Sequence, residues 1–246
     1  MNKSIKRIII LTKRNIKEIV REPISIVFML GLPLVMEILF YYLFHELTSQ
    51  FEMKYLAPGI VVFSQAFLTL FTGLLLSLDR NSSFLTRLFV TDTKAFEFIL
   101  SYALAILPLT IIQSILFFVV GIIIDSSIFS IYIIPTILLS ILTSLLFIGF
   151  GILFGSLCSE KSIGGVASII ICGQSVLSGM WFPIEGLSAN LIKIMDILPF
   201  RNATYLLQSS LSGNFEILNY LLVVIFYEVI VFIMAVMFFK RKMIVK

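Results

Sequence analysis

The 246-residue chain is 59% hydrophobic, only 13% charged, and carries a formal net charge of +4. Soluble domains carry about 25% charged residues, so a water-soluble fold of this size would lack the polar surface to cover its apolar segments. Two cysteines (Cys158 and Cys172) and one histidine (His45) exclude a disulfide scaffold, a histidine-based metal site and a Ser-His-Asp triad.

In residues 1–22, Ile5, Ile8, Ile9, Ile16, Ile19 and Val20 recur at helical spacing, with basic residues between them. This pattern predicts an amphipathic helix lying in the membrane interface; a plain positive anchor is the alternative. Glu22-Pro23 breaks it, because the residue before a proline avoids the helical region. Six apolar runs long enough to cross a bilayer then follow, at 24–44, 57–78, 99–124, 131–157, 163–182 and 217–239. The expected fold is therefore an all-α membrane protein with one six-span domain over 23–246.

Alternate connections hold very different numbers of basic residues. The N-terminal segment, the second and fourth connections and the C-terminus carry 15 of the 18 Lys and Arg residues, and the opposite side carries only Lys54, Lys193 and Arg201. The positive-inside rule then places both termini in the cytoplasm. The outer 183–215 connection contains an apolar face through Leu187, Leu191, Ile194 and Ile197, which predicts short re-entrant-type helices. Asn202-Ala203-Thr204 within it is a glycosylation sequon; the Ile/Lys/Phe-rich composition points to a bacterial source, in which no glycan is expected there.

Glu37 and Glu228 fall inside spans, where a charge is costly in lipid. At 1.5 Å per residue they lie about 20 Å and about 16 Å from the inner ends of their spans, depths that suit one polar layer. They line a path or bind a cationic group, or else serve as hydrogen-bonded packing residues. Gln65, Gln113 and Gln174 suit interhelical hydrogen bonds, and glycines in the fourth and fifth spans suit close helix contact. The string Gly155-Ser156-Leu157-Cys158-Ser159-Glu160-Lys161-Ser162 has Glu160 where a phosphate-binding loop needs glycine, and it ends a span, so no ATP site is expected.

Two motifs in this topology carry a family resemblance. The 79–97 loop reads Asp79-Arg80-Asn81-Ser82-Ser83, then Thr86-Arg87-Leu88-Phe89-Val90-Thr91, then Phe96-Glu97. At the outer end of the fifth run stands Leu177-Ser178-Gly179-Met180-Trp181-Phe182-Pro183, with Ile197-Leu198-Pro199-Phe200 further on. The chain resembles the ABC-2 type permease family of ABC exporters, with Ser178, Gly179, Phe182 and Pro183 on the family signature. Ser83 and Phe84 stand where the family has Gly-Thr, and Asp92 stands where it has proline.

The resemblance implies a multi-pass cell-membrane exporter subunit, such as a multidrug-efflux permease, that is not itself an enzyme. It implies a separate ABC ATPase that binds ATP and Mg, a second permease copy or homologue, and a transported small molecule, peptide or lipid, but no nucleic acid. It implies a coupling loop in which Phe84, Leu85, Leu88 and Phe89 dock on the ATPase, with Arg80, Arg87, Thr91 and Asp92 around them. It implies that Ser175, Ser178 and Met180 sit near the translocation pathway. A secondary transporter using Glu37 and Glu228 is the alternative. An intramembrane protease would need a histidine within a span, a metal-ligand cluster or paired acids, and the sequence offers none of these.

Overall fold

The computed structural model describes residues 3–82, 93–182 and 184–244, and these are helical nearly throughout. The helices are α1 (Lys3–Arg21), α2 (Pro23–Phe44), α3 (Met53–Asn81), α4 (Ala95–Ile124), α5 (Ile133–Leu157), α6 (Glu160–Leu177), α7 (Ala189–Ile197), α8 (Pro199–Leu211) and α9 (Leu218–Ile244). Local chemistry marks several boundaries. Pro23 and Pro199 stand at the first positions of α2 and α8, where a missing N–H costs nothing. The Ser188 side chain caps α7 by accepting from Leu191 N at 3.4 Å.

Five of these helices are long and apolar enough to cross a membrane: Ile26–Phe44, Met53–Arg80, Ala95–Ile124, Ile133–Leu157 and Leu218–Arg241. The expected run over 163–182 differs. Its helix, α6, spans only 18 residues, opens on Glu160 and Lys161, and stops at Leu177. Hydropathy continues through Phe182, but Gly179 turns the chain at φ +72°, a conformation that a helix cannot contain.

At the centre stands α3, which packs against α5 most extensively, then α6, with α2, α4 and α8 around it. Close backbone approach holds the α3–α5 pair. A Cβ on Gly151 would lie 2.6 Å from Thr72 Cβ and 2.8 Å from Thr69 O, so only glycine fits. Along the same helix, α6 runs antiparallel: Ile163 meets Gly73, and Met180, just past the end of α6, meets Gly59. Polar side chains join α3, α4 and α5 at mid-depth. Gln65 donates to Ser140 O at 2.8 Å and accepts from Thr143 Oγ1 at 2.8 Å, and the Ser114 and Ser140 hydroxyls lie 2.8 Å apart.

The bundle has two ends. The basic end gathers α1, the C-termini of α3, α5 and α9 and the N-termini of α4 and α6, where Phe98 of α4 stacks on Phe239 of α9 at 5.0 Å. The far end is closed by α8, whose Phe200, Leu206 and Leu207 are buried among α3, α5 and α9. On the flanks, α2 and α9 present exposed apolar faces, including Phe28, Leu39, Phe226 and Ile233, as lipid contact requires.

Candidate functional site

A dense polar cluster lies at the basic end, where α1 docks on α4 and reaches α3. The docked face of α1 carries Leu11, Asn15 and Ile19, four residues apart and therefore stacked on one side. From that side, Arg14 donates through both terminal nitrogens to the two Asp79 oxygens, and Tyr102 donates its hydroxyl to the same carboxylate. Asp79 is nearly buried, so this pairing offsets the cost of holding its charge. Burial works against the Arg14 charge, but the hydrogen bond and charge of Asp79 outweigh it and raise the guanidinium pKa. Arg14 also donates to Asn15 Oδ1 at 3.1 Å, and Asn15 Nδ2 donates to Ser101 Oγ at 3.2 Å.

A second tie lies nearer the start of α1. Ser4 Oγ donates to Glu97 Oε1 at 2.5 Å, and Arg7 Nη1 lies 3.6 Å from Glu97 Oε2. That carboxylate also accepts from Lys94 N at 3.1 Å, which closes the first turn of α4. One helix therefore grips Asp79 and Glu97, the residues that bound the 79–97 loop. Arg80, expected at the rim of the coupling contact, caps α5 within this chain: it donates to Gly155 O at 2.9 Å, to Ser156 O and to Cys158 O at 2.9 Å. Three carbonyls that the helix end leaves without partners are satisfied by one guanidinium. Phe84, Leu85, Arg87, Leu88, Phe89, Thr91 and Asp92 lie outside the described residues.

At the far end, the Ser178-Gly179 signature forms the turn that ends α6. Ser178 Oγ accepts from Met180 N at 3.3 Å, and a Cβ on Gly179 would come within 2.8 Å of Ile184 Cδ1. The turn directs Met180 onto Gly59 and leads the chain to Trp181. Trp181 donates to Ser175 Oγ at 2.9 Å and packs its ring on Phe40 at 4.6 Å. Gln50 donates to Phe182 O at 2.7 Å. Within this chain, then, Ser175, Ser178 and Met180 fasten α6 to α2 and α3. Pro183 lies outside the described residues.

Nearby, Gln174 donates to Thr204 Oγ1 and Gln208 donates to Tyr55 O, both at 2.9 Å, which pins α8 within the bundle. Asn202 is 5% exposed and donates to Asp196 O and Leu198 O, each at 2.7 Å, so the sequon is structural.

Glu37 and Glu228 are both buried, but in different surroundings. The first sits on α2, which packs on α3 and α4; the second sits on α9, which packs mainly on α5 and α8. Neither Glu37 oxygen, nor Glu228 Oε1, has a hydrogen-bond partner. The two carboxylates thus sit on helices with different main packing partners. Among the described residues no cluster of His, Cys, Asp or Glu is arranged to hold a metal ion.

Sequence reasoning did not single out Ser4, Arg7, Arg14, Asn15, Ser101 or Tyr102. A signal existed for two of them, since basic residues on the docking side of a helix need acidic partners. Asp79, the partner of Arg14, lies 65 residues away, and Glu97, the partner of Arg7, lies further still, beyond any local pattern. The family model described as ABC-2 type transporter matches residues 6–212. Comparison with curated proteins gives no match.

Proposed function

Because the chain belongs to the ABC-2 type transporter family and is a multi-pass membrane permease, we propose that it couples ATP hydrolysis on a separate ABC ATPase to export across the cell membrane. The ATPase holds ATP and Mg, and the 79–97 loop receives its motion. Phe84, Leu85, Leu88 and Phe89 supply the apolar docking contacts, and Arg87, Thr91 and Asp92 supply the polar rim, which favours specificity over raw affinity. The observation that carries this reading is the grip of α1 on Asp79 and Glu97. A loop whose two ends are tied to one rigid helix moves with that helix, and such rigid-body motion is how closure of an ATPase pair reaches a membrane domain. Arg80 extends the linkage to the α5–α6 hairpin.

The same reading assigns six spans, with both termini cytoplasmic in a bacterial membrane. Its support is the antiparallel course of α6 along α3 between the Gly73 and Gly59 levels, about 21 Å at 1.5 Å per residue. The outward face of α6 carries Gly165, Ser168 and Cys172, all exposed, and is the surface for a second permease copy. The apolar stripe Ile5, Ile9, Ile16 and Val20, exposed along α1, rests in the interface. A drug-sized molecule, peptide or lipid is the substrate class.

The test is affinity purification of tagged protein from detergent-solubilised native membranes, with partner identification and an ATPase assay. A soluble ATPase near equal stoichiometry, lost when Phe84, Leu88 and Phe89 become serine, is the expected outcome. A stable permease without such a partner would sink the proposal and turn attention to Glu37 and Glu228 as ion sites.

A further inference from the structure

At the basic end, an open apolar groove of about 300 Å³ lies between α4 and α9. Phe96, Ile99 and Leu100 line one wall, and Ile233, Val236 and Met237 line the other. The Phe98–Phe239 stack joins the two helices beside it. Phe96, Ile233 and Met237 are each more than half exposed. In a bilayer, such a groove is filled by an acyl chain.

The charges at its mouth select the headgroup. Lys94 stands two residues before Phe96, and Lys240 stands four residues beyond Val236, on the same helix face and about 6 Å further along the axis. Both lysines and the neighbouring Arg241 are exposed. No acidic residue follows Glu228 on α9, and Glu97, the nearest acid on α4, is buried against Ser4 and Arg7. The mouth is therefore basic, the groove apolar, and the two meet at the level of the amphipathic α1. Basic pockets between membrane helices recognise anionic lipid headgroups in this way. We propose that the α4–α9 groove is a selective seat for an anionic phospholipid, with its acyl chain along Ile99 and Ile233 and its phosphate between Lys94 and Lys240.

Native mass spectrometry of the detergent-purified chain, titrated with phosphatidylglycerol and phosphatidylcholine of equal chain length, tests the seat. The parent should retain phosphatidylglycerol at least about tenfold more tightly at low salt, at about fivefold for each basic contact. Lys94→Gln/Lys240→Gln should lower that preference fivefold or more, while Ile233→Trp, which fills the groove, should weaken both lipids together. Both lysines are exposed, so the double variant should fold as the parent does. Equal retention of the two lipids by the parent would overturn the proposal. So would unchanged binding in Ile233→Trp, or an equal loss in Lys13→Gln/Lys17→Gln, whose exposed lysines lie on α1 away from the groove.

Discussion

Gly151 shows how little room the α3–α5 seam allows. Thr69 O and Thr72 Cβ lie where any larger residue would place its first side-chain atom, and backbone cannot swing aside as a flexible side chain does. Gly151→Val should therefore cost about 3 kcal/mol through forced separation of the two helices. A thermal-unfolding series in detergent would read this, with Gly165→Val as the comparison, because a Cβ there meets nothing within 4 Å. Destabilisation of the monomer by both to the same degree would refute the packing argument. The sequence marked these glycines as sites of close contact but did not say which helix each one faces. That depends on rotation about the helix axis, which apolarity on all sides leaves undefined.

The element that most changes the functional picture is α1. Periodicity placed a helix here with an apolar stripe, and the structure leaves Ile5, Ile9, Ile16 and Val20 exposed but gives Ile8, Leu11 and Ile19 to the docked side. Docking is polar as much as apolar, because Arg14 and Ser4 reach acids on two other helices. Arg14→Ala leaves the nearly buried Asp79 with Tyr102 as its remaining partner, a loss of roughly 2–4 kcal/mol for breaking a pair of this kind. If α1 carries motion between the loop ends, Arg14→Ala should also lower substrate-stimulated ATP hydrolysis in the assembled transporter several-fold, with ATPase retention unchanged. Loss of stability with full stimulation would reduce α1 to a structural strut. The other elements were largely readable from apolar length, and the end of α6 was not. Hydropathy counts Met180, Trp181 and Phe182 as span, whereas the backbone at Gly179 has already turned.

For the whole molecule, topology is the measurable quantity. In a background lacking Cys158 and Cys172, single cysteines at Ser127 and Ser188 should both react with a membrane-impermeant maleimide in intact cells, and one at Ser159 should not. All three positions lie in connections between α-helices: Ser127 in the turn Ser126–Ile128 after α4, Ser188 just before α7 and Ser159 just before α6. Labelling at Ser127 without Ser188 would mean that α6 does not cross, and six spans would become five. The all-helical, multi-pass character was visible in the sequence because lipid makes hydrophobic length so informative, and the signature at Ser178-Gly179 stood where the structure needs its turn. The clamp at the basic end was not visible, since it joins residues from three distant segments. That same clamp has a consequence for biogenesis. The ribosome makes α1 first, yet its anchoring partners Asp79 and Glu97 follow 65 and 93 residues later. At about 5–20 residues per second the delay is several seconds. During that interval the clamp cannot form; on the reading proposed above that α1 rests in the interface, its exposed isoleucine stripe is a waiting berth before the N-terminus is locked into place.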